Sequence, residues 1–218
     1  MPSMNRRRVV KSAAALSLAP TALSALYAQR VLGQASPEAA AAPEGDPIRI
    51  GASVSTTGTN GRTGLYQQEA YRLWEAQKNA SGGLLGRPVE MVLYDDQSDP
   101  TTGARLYERL ITEDEVDLVM GPYASGVTQA VAQITERYGY PLLVAGASAN
   151  SIWESGFQAV FGVYSVAGDY FKDIVTNIAT EQGYSTAAVI YEDAVFPMST
   201  GQGAVQHLND VGIEVVLE

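Results

Sequence analysis

Cysteine is absent from the 218 residues. Disulfides, thiolate metal centres and cysteine nucleophiles are therefore excluded, as is a lipid anchor built on a cysteine. Histidine occurs once, at His207, which leaves too little for a His-rich metal site or a Ser-His-Asp triad. His207 falls in a polar helical pattern and reads as a surface residue. Positive charge is scarce, with 14 Lys and Arg against 24 Asp and Glu and a net charge of −10. Residues 1–35 hold five of those bases and no acid, so their removal leaves nine against 24, a charge of −15. Such a surface repels phosphate backbones and anionic lipid heads, which argues against a nucleic-acid partner. A core is well provided for: 46% of the residues are hydrophobic, enough for one or two globular domains.

The N-terminus reads as an address. Arg6-Arg7-Arg8-Val9-Val10-Lys11 precedes an uncharged stretch reaching Gln29, and Gly33-Gln34-Ala35 offers small residues for a signal peptidase. Arg6 and Arg7 resemble the twin-arginine export motif. A membrane anchor is the competing reading, but the stretch is rich in Ala and Ser and broken by Pro20, weak for a span of ~20 residues. We therefore expect a signal peptide over 1–35 and a flexible Ala/Pro/Glu leader over 36–47, with no membrane insertion once the signal is cleaved.

From Ile48 onward, short β-type runs alternate with helical stretches. Strands are expected at Ile48–Val54, Val89–Tyr94, Val116–Met120 and Leu142–Ala145. Val116–Met120 is apolar enough to be covered on both faces. The first helix is expected over Leu65–Asn79, with Tyr66, Ala70, Leu73 and Gln77 on one face. The second should start at Asp99-Pro100, a good N-cap followed by proline, and bury Leu106, Leu110 and Ile111. The third should be capped by Ser125 and bury Val127, Val131, Ile134 and Tyr138. Strands separated by helices imply a parallel, doubly wound α/β sheet. The order restarts near Val160–Gly162. Helices are expected around Phe171–Ile178 and Ala204–Val211, and strands at Ala187–Tyr191 and Glu214–Leu217. This gives one lobe over 48–165 and a second over 166–218, incomplete because two strands bury too little to be stable alone.

Ligands of open α/β sheets sit beyond the carboxyl ends of the strands. The loop 55–64 is Gly-rich but lacks both the dinucleotide fingerprint and a P-loop lysine, so it reads as a rim loop. Asp95, Asp96 and Asp99 lack the glycine and terminal glutamate of a calcium loop; a cluster that caps the next helix is the simpler reading. Ser125 is either a plain N-cap or part of an anion site, where free N–H groups meet its hydroxyl. No nucleophile is paired with a base in a recognisable frame, so hydrolase chemistry has no support.

Five segments in order carry a family resemblance: Ile48-Arg49-Ile50-Gly51, Asn79 to Gly86 with its Gly82-Gly83 turn, Tyr94 to Pro100, Val119 to Ser125, and Tyr140-Pro141-Leu142-Leu143. Together they resemble the N-terminal portion of the branched-chain amino-acid and amide binding proteins of bacterial ABC transporters. That family has the type I periplasmic-binding, or Venus flytrap, fold. By the resemblance, a ligand's carboxylate would be held by Ser125 and by Gly146, Ala147 and Ser148. Thr63 would contribute from the rim and Phe196 from the second lobe; Tyr123 and Tyr164 are further candidates for the cleft or the core. Relatives carry Ser or Thr, then Pro, near Ala145, and Phe-Arg where this chain has Phe161-Gly162.

The resemblance implies an exported, periplasmic carrier that closes about a small carboxylate- or amide-bearing solute and passes it to a membrane permease. It implies no cofactor, no metal and no catalysis. A ligand-sensing receptor of the same fold is the first rival reading, and an exported enzyme the second.

Overall fold

The structure, a computed structural model, describes residues 41–218. The export motif Arg6-Arg7 and the signal segment lie outside the described residues. Among the described residues, no helix is long and apolar enough to cross a membrane.

The elements run β1 (Ile48–Val54), α1 (Gly61–Ala80), β2 (Val89–Asp95), α2 (Pro100–Thr112), β3 (Leu118–Met120), α3 (Ser125–Tyr138), β4 (Leu142–Val144), α4 (Asn150–Glu154) and β5 (Val160–Gly162). A 3-10 turn (Ala167–Asp169) leads into α5 (Lys172–Gln182), β6 (Thr186–Ala188), α6 (Val195–Asp210) and β7 (Glu214–Leu217). The first sheet has the order β2-β1-β3-β4-β5 and the second pairs β6 with β7, all parallel. The expected doubly wound sheet is present, with β5 as a fifth strand and α4 as an unforeseen short helix before it.

Strand alternation divides the core. Ile48, Ile50, Ala52 and Val54 point to the α1 side of β1 and pack with Tyr71, Val89 and Met91. The other face builds the larger cluster, around Tyr107, Leu110, Val119, Val127, Val131 and Leu142. Right-handed crossovers explain the split: the β1–β2 connection runs toward one edge and the later ones toward the other. Among the described residues only α1 lies on its face, so Leu118, Leu143 and Phe161 are exposed there. The expectation that β3 is covered on both faces therefore fails at Leu118.

The rotation of α1 also departs from the apolar pattern. Tyr66 and Leu73 are each 58% exposed, while Gly64 and Tyr71 are buried. Gly64 decides this. A Cβ there would lie 1.9 Å from the Ser55 carbonyl oxygen, so only glycine lets the helix start this close to β1. The helix then turns Gly64, Gln67 and Tyr71 inward and the Tyr66–Leu73 side outward. In α2, Tyr107 takes the fully buried place expected of Leu106; Leu110 and Ile111 are buried as expected. In α3, Val127, Val131 and Ile134 are buried, but Tyr138 is 38% exposed. Its hydroxyl donates to Glu108 at 3.0 Å.

Local chemistry fixes several joints. The Asn79 side chain donates to the Val89 carbonyl (2.9 Å) and accepts from the Val89 amide (2.7 Å), docking the α1 C-terminus on the start of β2. Asp99 caps α2 by accepting from the Thr102 amide at 2.7 Å, with Pro100 at the first helical position, as its sequence predicts. Farther along, Asn150 joins three segments: its amide donates to Ser199 Oγ (3.1 Å) and its Oδ1 accepts from the Gly168 amide (2.8 Å). His207 is no surface residue. Its side chain is 12% exposed, with Nε2 3.1 Å from the Gly168 carbonyl oxygen and 3.4 Å from Asp169.

Leu110 is wholly buried. Leu110→Ala should cost roughly 2 to 5 kcal/mol, read as a lower denaturation midpoint at unchanged denaturant slope.

Candidate functional site

The strands of the first sheet end together, and the loops beyond them cannot use the sheet ladder to satisfy their amides. Side-chain oxygens do so instead. Asp96 is fully buried and accepts from Ser53 Oγ (2.7 Å), Ser55 Oγ (2.5 Å) and the Ser98 amide (3.0 Å). Asp95 accepts from the Thr57 hydroxyl (2.7 Å) and from the amides of Thr56 and Gln97 (2.9 Å each). Burial pushes the Asp95 carboxyl up, but the bonds from Thr57 and Gln97 outweigh it and hold the group below its ordinary range. The acidic run thus staples two loops and caps a helix. Among the described residues, no three His, Cys, Asp or Glu side chains are grouped to hold a metal ion.

Beside these loops lies a cavity of about 1060 Å³. Its wall combines the start of α1, the loops after β3 and β4, and the first turn of α6. Five of the six residues proposed to hold a ligand meet on it: Thr63, Ser125, Gly146, Ser148 and Phe196. Ala147 does not. It is buried behind the wall, in the larger core cluster.

Two of these residues sit differently from expectation. Thr63 lies inside the first turn of α1, not on a loop, because the helix begins at Gly61; its hydroxyl donates to the Asn60 carbonyl at 2.9 Å. Ser125 is not the N-cap of α3. Ala124, with extended dihedrals, holds that position and makes no side-chain cap. Ser125 Oγ, with the residue 3% exposed, instead accepts from the amides of Ser148 and Ala149, at 3.3 Å each. It ties the loop after β4 to the start of α3.

Ser148 is 1% exposed, and its hydroxyl accepts from the Tyr170 phenol at 2.9 Å. The Tyr170 ring meets Phe196 edge-on, with centroids 5.9 Å apart. Tyr123 and Tyr164 also line the cavity, as do Tyr71 and Gln67. Burial pushes the Tyr71 phenol up to about 12, against a smaller opposing effect of its bond to Gln67. It is therefore a proton donor across the physiological range, bonded to the Gly121 carbonyl at 2.7 Å. Glu192 is the one charged side chain on this wall.

Tyr170, Tyr71 and Gln67 escaped the sequence reading. Gln67 and Tyr71 fall four apart on α1, a signal for a shared face, but the larger apolar residues at Tyr66 and Leu73 drew attention to the other side. Tyr170 reaches a serine 22 residues earlier, a pairing without a local signature.

Residues 47–218 match the family model described as periplasmic binding protein. The chain belongs to that family. A Leu/Ile/Val-binding protein homolog of Brucella abortus is 29% identical over 196 residues, covering 85% of this chain and 48% of the relative. A leucine-, isoleucine-, valine-, threonine- and alanine-binding protein of Pseudomonas aeruginosa is 27% identical, covering 89% and 51%. The chain thus spans about half the length of the curated relatives it matches. Among solved structures, a leucine binding protein of Thermotoga maritima superposes with a TM-score of 0.71 at 20% identity, covering 78% of this chain and 48% of that one. A solute binding protein of an ABC transporter from Rhodopseudomonas palustris, in complex with 3,4-dihydroxybenzoic acid, gives 0.70 at 22%, covering 80% and 47%. The fold is the type I periplasmic-binding fold, present here in part, and the family members named here are solute-binding proteins.

Two outcomes follow for the loops of this binding-protein fold. The stability that Asp95 contributes is fully present above the ordinary carboxyl range near ~3.9 and is lost as pH falls through its lower folded value. Asp95→Asn should flatten the acid limb of a plot of denaturation midpoint against pH. Ser125→Ala leaves two buried amides without an acceptor and should destabilise the fold by about 1 to 3 kcal/mol, measurable by the same denaturation without any ligand.

Proposed function

We propose that this protein is the periplasmic solute-binding component of an ABC transporter. It is exported through its Arg6-Arg7 signal, closes around a small carboxylate- or amide-bearing solute and delivers that solute to a membrane permease. The observation that carries this reading is the pair of buried serines, Ser125 and Ser148, on the wall of a cavity completed by Phe196.

Segment 48–165 acts as one lobe and 166–218 as part of the other. Solute bound against the serines on the first lobe gains further contacts from Phe196 and Glu192 on the second, and those extra contacts select the closed form. The solute is an amino acid or a relative of one. The Brucella relative is named for leucine, isoleucine and valine and the Pseudomonas relative for these with threonine and alanine, and solved Rhodopseudomonas neighbours hold 4-hydroxybenzoate and benzoate. Thr63, Gly146 and Phe196 shape the pocket around the anchored end. The solute leaves unchanged, since the wall brings no nucleophile and base together.

A thermal-shift and calorimetric screen tests this on the protein as its gene encodes it, with any sequence beyond Glu218 included. The panel is isoleucine, benzoate, 4-hydroxybenzoate and acetamide. At least one should raise the melting temperature and be recovered intact. No shift with any of them, or conversion of the bound compound, would overturn the reading.

A further inference from the structure

The hydrogen bonds at the two serines fix which way their protons point, and this deepens the functional reading above, on which it rests. A hydroxyl carries one proton and two lone pairs. Both lone pairs of Ser125 Oγ are engaged, by the amides of Ser148 and Ala149 at 3.3 Å each. What Ser125 has left to offer a solute is its proton. Ser148 Oγ accepts from the Tyr170 phenol at 2.9 Å, so its proton is also turned outward. A phenol is the better donor of the two hydroxyls and the poorer acceptor, which favours this direction over its reverse.

Tyr170 is held for the task by a closed ring of bonds. The Ala167 amide donates to the Ser148 carbonyl at 2.8 Å, and the Tyr170 amide donates to the Ala167 carbonyl at 3.1 Å. The tyrosine is thus tied through its backbone to the same serine that its hydroxyl meets. The edge-on contact with Phe196 fixes the ring plane.

We propose that Tyr170 is a specificity-determining residue: it polarises Ser148 so that, with Ser125, this end of the cavity presents two protons and favours the acceptor end of a solute, a carboxylate or a carbonyl. A protonated amine finds both lone pairs of Ser125 and one of the two on Ser148 engaged, so it gains less from these hydroxyls than an acceptor does. Tyr170 need not touch the solute with its own hydroxyl for this to hold; it acts through Ser148. Removing that hydroxyl frees the Ser148 lone pair that Tyr170 holds and lets the side chain rotate to accept.

The test compares acid and amine on the same skeleton: benzoate with benzylamine, and 3-methylbutanoate with 3-methylbutylamine. Calorimetry uses the gene-encoded protein and its Tyr170→Phe variant, which keeps the ring and its contact with Phe196. The native protein should prefer the acid of a pair. Tyr170→Phe should weaken acid binding about tenfold and narrow the acid-to-amine ratio, leaving the amine unchanged or improved. A merely structural role would weaken both members alike, and an unchanged ratio overturns the proposal while the transport reading stands. If neither acid binds the native protein, or the amines bind better, the proposal falls outright; if the screen above finds no solute either, the transport reading falls with it. A second variant guards against misfolding. In a Ser148→Ala background, adding Tyr170→Phe should leave the ratio where Ser148→Ala put it; a further change of similar size would also overturn the proposal.

Discussion

Parallel strands that all end on one edge leave a row of backbone donors without ladder partners, and the rest of this structure depends on how those donors are met. The answer is a set of side-chain oxygens. Asp95, Asp96 and Asp99 serve the loops after β1 and β2 and the start of α2; Ser125 serves the loop after β4. The Asp96 and Asp99 bonds to Ser98 and Thr102 are local, but those from Thr56 to Asp95 and from Ser148 and Ala149 to Ser125 join segments far apart in sequence and set the loops against one another. Unmet, buried amides of this kind would each cost a kilocalorie or more.

The same economy of donors gives the cavity its character. Where carboxylates absorb the loop amides, their oxygens are engaged by the loops themselves. Where serines absorb them, an outward proton remains. The acidic corner and the serine corner lie on neighbouring loops and are built by the same constraint, yet the first meets its donors with carboxylates and the second with hydroxyls. Burial reinforces the contrast: a hydrogen bond in a dry wall is worth more than one in water. Aromatic rings from α1, from the loop after β3 and from the first turn of α6 supply the apolar part of that wall.

Much of the fold was legible from local pattern. The ends of β1 and β7 stand where alternation and apolar runs put them, and the Asp99-Pro100 start of α2 is a matter of cap chemistry that one tripeptide encodes. The rotation of α1 was not legible. Periodicity counts large apolar side chains, and here a glycine too close to a carbonyl for any Cβ outranks Tyr66 and Leu73. Ser125 was singled out for a bond it does not make: serine near a helix start suggests a cap, but its lone pairs serve a loop over twenty residues away. Tyr170 was invisible for a related reason. Its partner, Ser148, is set by the crossover between the sheets and not by spacing along the chain. Ala147, between two wall residues, faces the core, a distinction that only the strand-end geometry makes.

Asn150 has a mechanical implication. Its amide and its side chain hold Ser199 on α6 and Gly168 before α5 at once, from the first residue of α4. Carrying α6 and the Gly168 turn away from the first sheet would break both bonds in one movement. Two bonds lost together make such a parting abrupt, a latch that releases instead of a spring that stretches.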